Sequence, residues 1–307
     1  MIRQSGECRF KAETTGRTWT ASPIALIITI RTSSSGVFWS SAISRPAAVD
    51  TGMPTITAYL ITRNAERHLD AVLGSVDGVD EILVVDSGSS DRTLEIARRH
   101  GARIVHQEWL GYARQKAFAL RQCTTEWALN LDADEVLPDG SLDAIRRRIG
   151  RGDVNGLYLL HEDTFMGRRM RGVKRLPFLR VYRRDRARFD ERMEVHERVH
   201  VDGALDRLPV AVLHYGYDDV HDYVEKLNQY SRLKAVQRGR EGRGLSRTRL
   251  LLTLPLTFIK FYLLRRMFLA GWRGFIKAVV DSYYFFLTEA KLYEEAYRAR
   301  HPSGPSG

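Results

Sequence analysis

The amino-acid sequence predicts an α/β fold, in which a mostly parallel sheet is flanked by helices and followed by amphipathic C-terminal helices. Between about residues 54 and 150, short apolar runs alternate with segments of helical periodicity, an order typical of a parallel, doubly wound sheet. The apolar runs have no polar face, as expected for strands that helices cover on both sides. Polar residues directly follow several of these runs, which predicts a ligand site at the carboxyl edge of the sheet.

Four strands and three helices are expected in this half of the chain. In order, they cover residues 56–61, 69–76, 81–85, 91–100, 103–105, 111–122 and 127–131. Arg63 and Asn64 follow the first strand, and Asp86 follows the second. Asp132 and Asp134 follow the fourth strand. All five residues should therefore lie at one edge of the sheet.

Asp132 and Asp134 stand where the fourth strand leaves the sheet, with one residue between them. At that spacing the two carboxylates project to the same side and can share one hard cation. Oxygen ligands of this kind favour magnesium, manganese or calcium. The alternative is a solvated acidic turn that begins a helix, because acidic side chains suit a first helical turn.

The composition narrows the class of partner. The chain has 307 residues, enough for one large or two modest domains, and a formal charge of +11. This charge indicates nucleic acid, a phosphorylated ligand or an acidic membrane surface as the partner. Nucleic-acid binding needs exposed stacking aromatics on a basic stripe, whereas the aromatics here cluster with leucines near the C terminus. The two cysteines, Cys8 and Cys123, have no metal or disulfide spacing, which favours a reducing compartment.

The two ends of the chain carry no clear pattern. Residues 1–52 are rich in Ser, Thr, Arg and Gly, and their apolar patch at Ile24–Ile30 is too short to span a bilayer. We expect this segment to be disordered, or to be an over-extended start with Met53 as the true initiator. Residues 301–307 are expected to be a disordered tail. Mass spectrometry of the natural N terminus tests the alternative start.

Several motifs together resemble family 2 glycosyltransferases of the GT-A fold. Ile61–Glu66, Val84–Thr93 and Leu131–Glu135 carry the resemblance, which runs from about residue 56 through the C-terminal helices. The fit is nearest to the branch that adds a sugar to the inner core of bacterial lipopolysaccharide. Further counterparts of that branch are Gly111–Ala117, Glu194–Glu197 and Gly271–Phe275. The resemblance implies a nucleotide-sugar-binding catalytic domain at residues 53–217 and a helical region at residues 218–300.

The resemblance also implies a donor pocket for a nucleotide-sugar. In that pocket Asp86 would bind the base or ribose, and Asp91 would support it beside Arg63 and Asn64. Helix capping is the alternative for both aspartates, and it is favoured more for Asp91. Lys116 would add positive charge near the phosphates, as would Arg114; solvated positions on a helix are the alternative.

A divalent cation, magnesium or manganese, is implied beside the donor diphosphate. Asp134 would hold it, Asp132 would contact the ribose or the metal, and His214 would complete the metal site. The cation stabilises the charge that develops on a nucleoside diphosphate leaving group. A histidine that follows a strand, as His214 does, also serves structural roles.

The catalytic base of an inverting transfer is a carboxylate, for which Glu197 is the first choice and Glu194 the second. An ordinary salt bridge is the alternative for both. The segment His196–His200 also reads H-E-x-x-H, the signature of a zinc metalloprotease, which requires a helix. Here valines alternate with polar residues, as in a strand, where positions four apart lie about 13 Å from each other. The protease is therefore a remote alternative.

The sequence also contains one basic segment and a region of two apolar segments. Asp163–Arg175 is rich in Arg and Gly, and we expect a mobile loop that meets phosphates on donor or acceptor, with a solvated loop as the alternative. Arg249–Leu264 and Phe268–Leu287 combine leucines, aromatics and basic residues, which suits helices lying on an anionic membrane. A core helix or a dimer interface is the alternative.

Together these features predict a cytoplasmic, peripheral enzyme on the inner face of the bacterial inner membrane. It would move a hexose, glucose from a UDP donor, onto a lipid-linked saccharide of the lipopolysaccharide core with inversion. Polyprenyl phosphate or a capsule intermediate is the alternative acceptor.

Overall fold

A computed structural model describes residues 32–33, 36–37, 53–191, 198–240 and 246–301 of the chain. Contacts divide the chain into two units, Met1–Thr51 and Gly52–Gly307. In the first unit, the two described pairs of residues form an antiparallel hairpin of strands β1 (Thr32–Ser33) and β2 (Gly36–Val37). The second unit contains the large sheet and its helices.

The large sheet has nine strands. Its members are β3 (Ile56–Thr62), β4 (Glu81–Asp86), β5 (Arg103–His106), β6 (Trp127–Asn130), β7 (Glu135–Val136), β8 (Gly156–Phe165), β9 (Arg168–Arg169), β10 (Leu176–Arg183) and β13 (Leu205–Tyr217). Their order is β5-β4-β3-β6-β10-β8-β13-β7, and β9 pairs with β8. Strands β11 (Ala187–Phe189) and β12 (Val199–Val201) form a separate antiparallel pair.

The strands that carry the predicted site are mutually parallel. β5, β4, β3 and β6 all run in one direction, β10 is antiparallel between β6 and β8, and β13 is parallel to β8. β3, β4 and β6 are almost entirely buried, because apolar side chains on both faces pack against helices. The predicted α/β fold with a mostly parallel sheet is confirmed.

Helices of the first half cover the faces of this sheet. They are α1 (Glu66–Ser75), α2 (Thr93–Arg99), α3 (Tyr112–Gln122) and α4 (Ser141–Ile149), and a 3-10 turn lies at Arg184–Arg186. The apolar faces of α1 and α4 enter the larger core cluster, where Leu69, Leu73 and Ile145 are fully buried. The βα connections are short, so each helix begins close to the strand end that precedes it.

The segment Asp163–Arg175 differs from the loop that its composition predicts. β8 continues through Phe165 and forms a short hairpin with β9, so Asp163 lies inside a strand. The reason is non-local: β8 pairs with β10 on one side and β13 on the other, and this pairing extends the strand past the point where its sequence turns polar.

The C-terminal helices are α5 (Val220–Arg240), α6 (Arg247–Ile259) and α7 (Gly271–Arg300), with a π-helical turn at Lys260–Leu264 and a 3-10 turn at Met267–Ala270. α7 packs against α5 and α6, and Phe261, Met267 and Ala278 form a small buried cluster at the turn. No side chain of α6 is buried. Within the described ranges, no helix combines the length and the apolar composition that crossing a membrane requires.

Candidate active site

Hydrogen bonds join the loops that follow β3 and β4 into one unit. The backbone N–H of Asn64 donates to Ser89 Oγ (2.8 Å), and the backbone N–H of Ser90 donates to Asn64 Oδ1 (2.8 Å). Ala65 N donates to Thr93 Oγ1 at 2.7 Å. Asn64 adopts a left-handed backbone conformation (φ 50°), which asparagine tolerates better than most residues. The loops therefore form a preorganised edge, on which Arg63 is exposed.

Asp86 is the buried anchor of this edge. Its carboxylate accepts hydrogen bonds from Thr62 Oγ1 (2.9 Å), from the backbone N–H groups of Gly88 (2.9 Å) and Ser89 (2.8 Å), and from Ser89 Oγ (2.5 Å). Burial raises the pKa of Asp86, but these hydrogen bonds, led by that of Ser89, lower it by more. The side chain is therefore held ionised and in one orientation at the end of β4.

Asp91 makes the contacts expected of a capping residue. Its carboxylate accepts from the backbone N–H of Glu66 at the start of α1 (3.1 Å) and from the backbone N–H and hydroxyl of Thr93 at the start of α2 (3.0 and 2.5 Å). The side chain thus ties the two helix starts together. Its role in a donor pocket stays a prediction.

Asp132 lies between two cationic side chains. Lys116 Nζ is 2.7 Å from Asp132 Oδ1, and an Arg180 Nη is 3.2 Å from Asp132 Oδ2. Arg180 also pairs with the buried Glu135. Partial burial raises the pKa of Asp132, but the charges of Lys116 and then Arg180 lower it by more. Lys116 is buried and paired, which contradicts the solvated alternative, whereas Arg114 is exposed on the same helix.

Asp134 and His214 lie together, as the sequence predicts. His214 Nε2 is 3.4 Å from Asp134 Oδ2, and the backbone N–H of Tyr215 donates to the Asp134 carbonyl at 2.8 Å. On its other side, His214 Nδ1 is 3.0 Å from Asp163 Oδ1. Burial lowers the pKa of His214, but hydrogen bonds to Asp134 and Asp163 raise it to about 10. The pKa is raised because the imidazole lies between two carboxylates.

Asp163 extends this group into a cluster on three neighbouring strands. Asp163 Oδ1 also contacts His161 Nε2 (2.8 Å), and His161 Nδ1 is 3.3 Å from Glu135 Oε1. His161, Asp163 and His214 place one ligand atom each within 4.8 Å of one another. Carboxylate oxygens and imidazole nitrogens suit manganese, and carboxylates suit magnesium. The donor set at this edge therefore fits a divalent cation, with Asp134 beside His214.

Lys277 of α7 contacts the far side of the cluster. Its Nζ lies 4.0 Å from Asp163 Oδ2, 3.3 Å from Asp281 Oδ1 and 2.8 Å from the Tyr223 hydroxyl. Burial lowers the pKa of Lys277, but Asp281, Tyr223 and Asp163 raise it by more. A C-terminal helix thus supplies a permanent positive charge beside the cluster.

The two predicted catalytic bases, Glu194 and Glu197, lie outside the described residues, as does His196. The described end of the H-E-x-x-H segment is strand β12, in which His200 is exposed. A zinc metalloprotease needs that segment to be helical, so the strand contradicts the protease alternative.

Sequence reasoning did not single out His161, Asp163 or Arg180. Two signals were available. His161 and Asp163 are two residues apart in a strand, which puts both side chains on one face. Arg180 interrupts an otherwise apolar strand, and a buried arginine requires an anionic partner. Which partner it finds depends on β10 lying beside β6, which the local pattern does not reveal.

Comparisons with known proteins find glycosyltransferases among the relatives of this chain. The family model "Glycosyl transferase family 2" matches residues 57–202. The "Lipopolysaccharide core biosynthesis glycosyltransferase LpsC" of Rhizobium meliloti (strain 1021) is 31% identical over an alignment of 255 residues, and the match covers 80% of this chain and 94% of that protein. An "Uncharacterized glycosyltransferase" of Rickettsia felis is 32% identical, covering 81% of this chain and 93% of that protein. The crystal structure of S. aureus TarS 1-349 in complex with UDP has 16% identity and a TM-score of 0.41, covering 80% of this chain and 92% of that chain.

Proposed function

Because the chain belongs to glycosyl transferase family 2, we propose that it moves glucose from a UDP-linked donor onto a saccharide of the lipopolysaccharide core, with inversion. The name of the Rhizobium relative supports the acceptor class, and the match covers 94% of that relative. The donor and the stereochemistry rest on the motif resemblance. Residues 53–217 would form the catalytic domain and residues 218–300 the helical region.

The observation that carries this proposal is the arrangement at the carboxyl edge of the sheet. The β3 and β4 loops and Asp132 follow the ends of three adjacent parallel strands, where open α/β sheets bind ligands, and Asp134 joins this edge to His214 of β13. In the proposal, Asp86 and its loop face the nucleoside, with Arg63 and Asn64 beside it. Lys116 holds Asp132 close to the ribose.

Asp134 and His214 would hold the divalent cation, magnesium or manganese. Asp132 is a weaker choice as a ligand, because Lys116 and Arg180 already neutralise its two oxygens. A cation held there would supply positive charge for the nucleoside diphosphate, which gains negative charge as it leaves the anomeric carbon. The protein holds these ligand atoms in fixed positions before the nucleotide-sugar binds.

An acceptor hydroxyl must lose its proton as it attacks the anomeric carbon, and a carboxylate within hydrogen-bond reach can take that proton. We assign this role to Glu197, with Glu194 as the second choice. Glu197→Gln and Glu194→Gln, made separately, distinguish the two residues. The variant that lacks the base should lose the greater part of kcat and still bind UDP.

The apolar surface of α6 and α7 would hold the enzyme on an anionic bilayer at the cytoplasmic face of the inner membrane. Leu251 is 77% exposed, Leu264 69% and Trp272 80%, which are unusual values for side chains of this size. Basic residues, among them Arg265 and Arg266, stand in the turn between these helices. Aromatic and basic residues at one surface favour the headgroup region of anionic membranes.

Calorimetry of UDP binding tests the proposal. UDP should bind to the purified chain in the presence of manganese or magnesium, and chelation of the metal should weaken this binding strongly. Asp134→Asn should weaken metal-dependent binding by at least about 100-fold, since even outer-shell residues of metal sites contribute 10–100-fold. Asp139→Asn, an exposed aspartate five residues further along the chain, is the matched control and should bind as the native chain does. If neither UDP nor another nucleoside diphosphate binds, the proposal is wrong.

A further inference from the structure

A cleft of about 160 Å³ lies between the β8–β10 connection and the turn that joins α6 to α7. Two parts of the chain that are distant in sequence form its walls. The residues that line it are His161, Glu162, Asp163, Met170, Val173, Lys174, Arg175, Leu176, Phe178, Arg265 and Met267. His161 and Asp163 belong to the ion cluster described above, so the cleft begins at the candidate active site.

Direct contacts hold the two walls together. The backbone N–H of Lys174 donates to the Arg265 carbonyl at 2.9 Å. Gly172 packs so closely on Leu269 that a Cβ added at this glycine would lie 3.0 Å from the Leu269 Cβ. The backbone of Gly172 is also left-handed (φ +80°), a conformation that glycine adopts without strain. The cleft is therefore a built feature of the fold.

The charges that line the cleft do not cancel. Glu162 pairs with Arg175 (2.6 Å), and Asp163 is surrounded by His161, His214 and Lys277. Two cations remain, Lys174 and Arg265, and neither has a carboxylate within ion-pair distance among the residues that the structure describes. Arg265 lies 5.1 Å from the centre of the Phe261 ring, which holds its guanidinium in place. A cleft with two such cations favours an anion, above all a phosphate.

The surroundings of the cleft point to an amphiphilic ligand. The turn that forms one wall exposes a group of large apolar side chains next to Arg265, namely Leu263, Leu264, Phe268, Leu269 and Trp272. The same region therefore combines exposed apolar side chains, two cations and an approach to Asp163 of the candidate active site. A lipid that carries a phosphate and a sugar combines the matching three kinds of group.

We propose that this cleft is a subsite for a phosphate group of the lipid-linked acceptor, bound by Lys174 and Arg265. The proposal rests on the transferase function above and names the chemistry of its acceptor. Binding the phosphate beside Asp163 would hold the acceptor saccharide at the edge of the sheet where the donor lies. A phosphate on a bulk membrane lipid has the same chemistry, so the experiment must separate these two sources.

The test measures how tightly the full chain binds core-truncated lipopolysaccharide in detergent micelles. The lipopolysaccharide is used in two forms, intact and after removal of its phosphates with hydrofluoric acid. Lys174→Met combined with Arg265→Met removes both cations and keeps most of their apolar stems. The matched control is Arg168→Met combined with Arg169→Met, which removes the same charge from exposed residues of the same connection that do not line the cleft. Binding to vesicles of phosphatidylglycerol reports on bulk lipid, and binding of UDP with manganese reports on the donor site.

The native chain should prefer the intact lipopolysaccharide by at least about tenfold, because a charge-assisted hydrogen bond contributes about that factor or more. The cleft variant should lose this preference, whereas the control variant should keep it, and both should bind UDP normally. Lys174→Met alone, at an exposed position, keeps the test informative if the double variant does not fold.

Three results would overturn the subsite. The native chain could bind intact and dephosphorylated lipopolysaccharide equally. The control variant could lose the preference as fully as the cleft variant does. The loss could run parallel to a loss of vesicle binding, which would assign the cations to bulk lipid. A failure to bind UDP or any other nucleoside diphosphate, with the preference intact, would instead overturn the transferase function and leave only a phosphate-binding cleft.

Discussion

The donor edge of the sheet and the α6–α7 region satisfy their side chains in opposite ways. At the donor edge, the buried and half-buried polar groups are bonded to one another: Asp86 accepts four hydrogen bonds, and Arg180 bridges Asp132 and Glu135. In the α6–α7 region, large apolar side chains are exposed, and α6 buries none of its residues. The polar groups of the first region have their partners within the protein. The second region exposes an apolar surface that contact with a less polar phase, such as a membrane, would stabilise.

This contrast matches the two tasks of the proposed enzyme. A site for a charged donor needs fixed charges, because preorganised groups need no rearrangement when the ligand binds. A surface for lipids needs apolar area that is free until the membrane covers it.

Replacing Arg180 by Met should lower the free energy of unfolding by about 3–5 kcal/mol, because it leaves the buried Glu135 and the adjacent Asp132 without their shared cation. Urea unfolding followed by circular dichroism measures this change. Arg183→Met is the control on the same strand. Arg183 is a third exposed and pairs with Glu126 and Asp185 near the surface, so its replacement should cost at most about 1 kcal/mol. Equal losses in the two variants would contradict the buried bridge.

Replacing Asp86 by Asn should lower the free energy of unfolding by about 2 kcal/mol at pH 7, since hydrogen bonds to a charged group contribute roughly that much. The pKa of Asp86 is lowered in the folded chain, so its contribution is present above the unfolded pKa of about 3.9. The contribution is lost as the pH falls through the folded pKa. Urea unfolding at pH 7 and at pH 2.5, below the unfolded pKa, should therefore show a smaller difference in acid, and Asp139→Asn should show little difference at either pH.

The parts of the site that the sequence could predict are those that follow from a single strand end. Asp86 and Asp132 each directly follow an apolar run, and Asp134 comes two residues after Asp132, so their common edge follows from the parallel order of the strands alone. The neighbours of these residues could not be predicted in the same way. Arg180 reaches Asp132 because β10 is inserted antiparallel between β6 and β8, and Asp163 meets His214 through the register of β8 with β13. Such pairings join residues about 50 positions apart, and no local pattern encodes them.

The same limit applies to the helices. The leucine-rich composition of Arg249–Leu264 predicted an apolar helical surface, and the structure has helices there. Composition alone could not show which side chains stay exposed, because that depends on how α6 packs against α7. It also could not show that Lys277, near the start of a helix rich in aromatic residues, lies beside Asp163.

Lys277 connects the two regions, and its replacement by Met should weaken the binding of UDP with manganese by about tenfold, or about 1.4 kcal/mol. The reason is positional. Asp163 would lose the cation on one side and shift relative to His214, which it holds at 3.0 Å. Calorimetry measures the affinity, and Lys277→Arg should restore part of it.

Lys291→Met is the matched control for that experiment. Lys291 also lies on α7 and bonds to the Asn228 carbonyl (2.8 Å) and to Ser231 Oγ (2.8 Å) on α5, but it does not reach the cluster. If Lys291→Met weakens UDP binding as much as Lys277→Met does, the effect comes from the packing of α7 as a whole, and the specific link to Asp163 is contradicted.

Replacing Leu264 and Trp272 by Ser should change the free energy of unfolding least, by about 0.5 kcal/mol or less, because both side chains are largely exposed. The same double variant should bind vesicles of phosphatidylglycerol at least about tenfold more weakly in sedimentation assays, since each buried side chain of this size contributes about 1.5–3 kcal/mol. Leu205→Ser, on strand β13, changes an exposed leucine of the sheet and should leave vesicle binding unaltered. A variant that loses stability but keeps vesicle binding would show that these side chains pack within the protein, and the contrast between the two regions would then disappear.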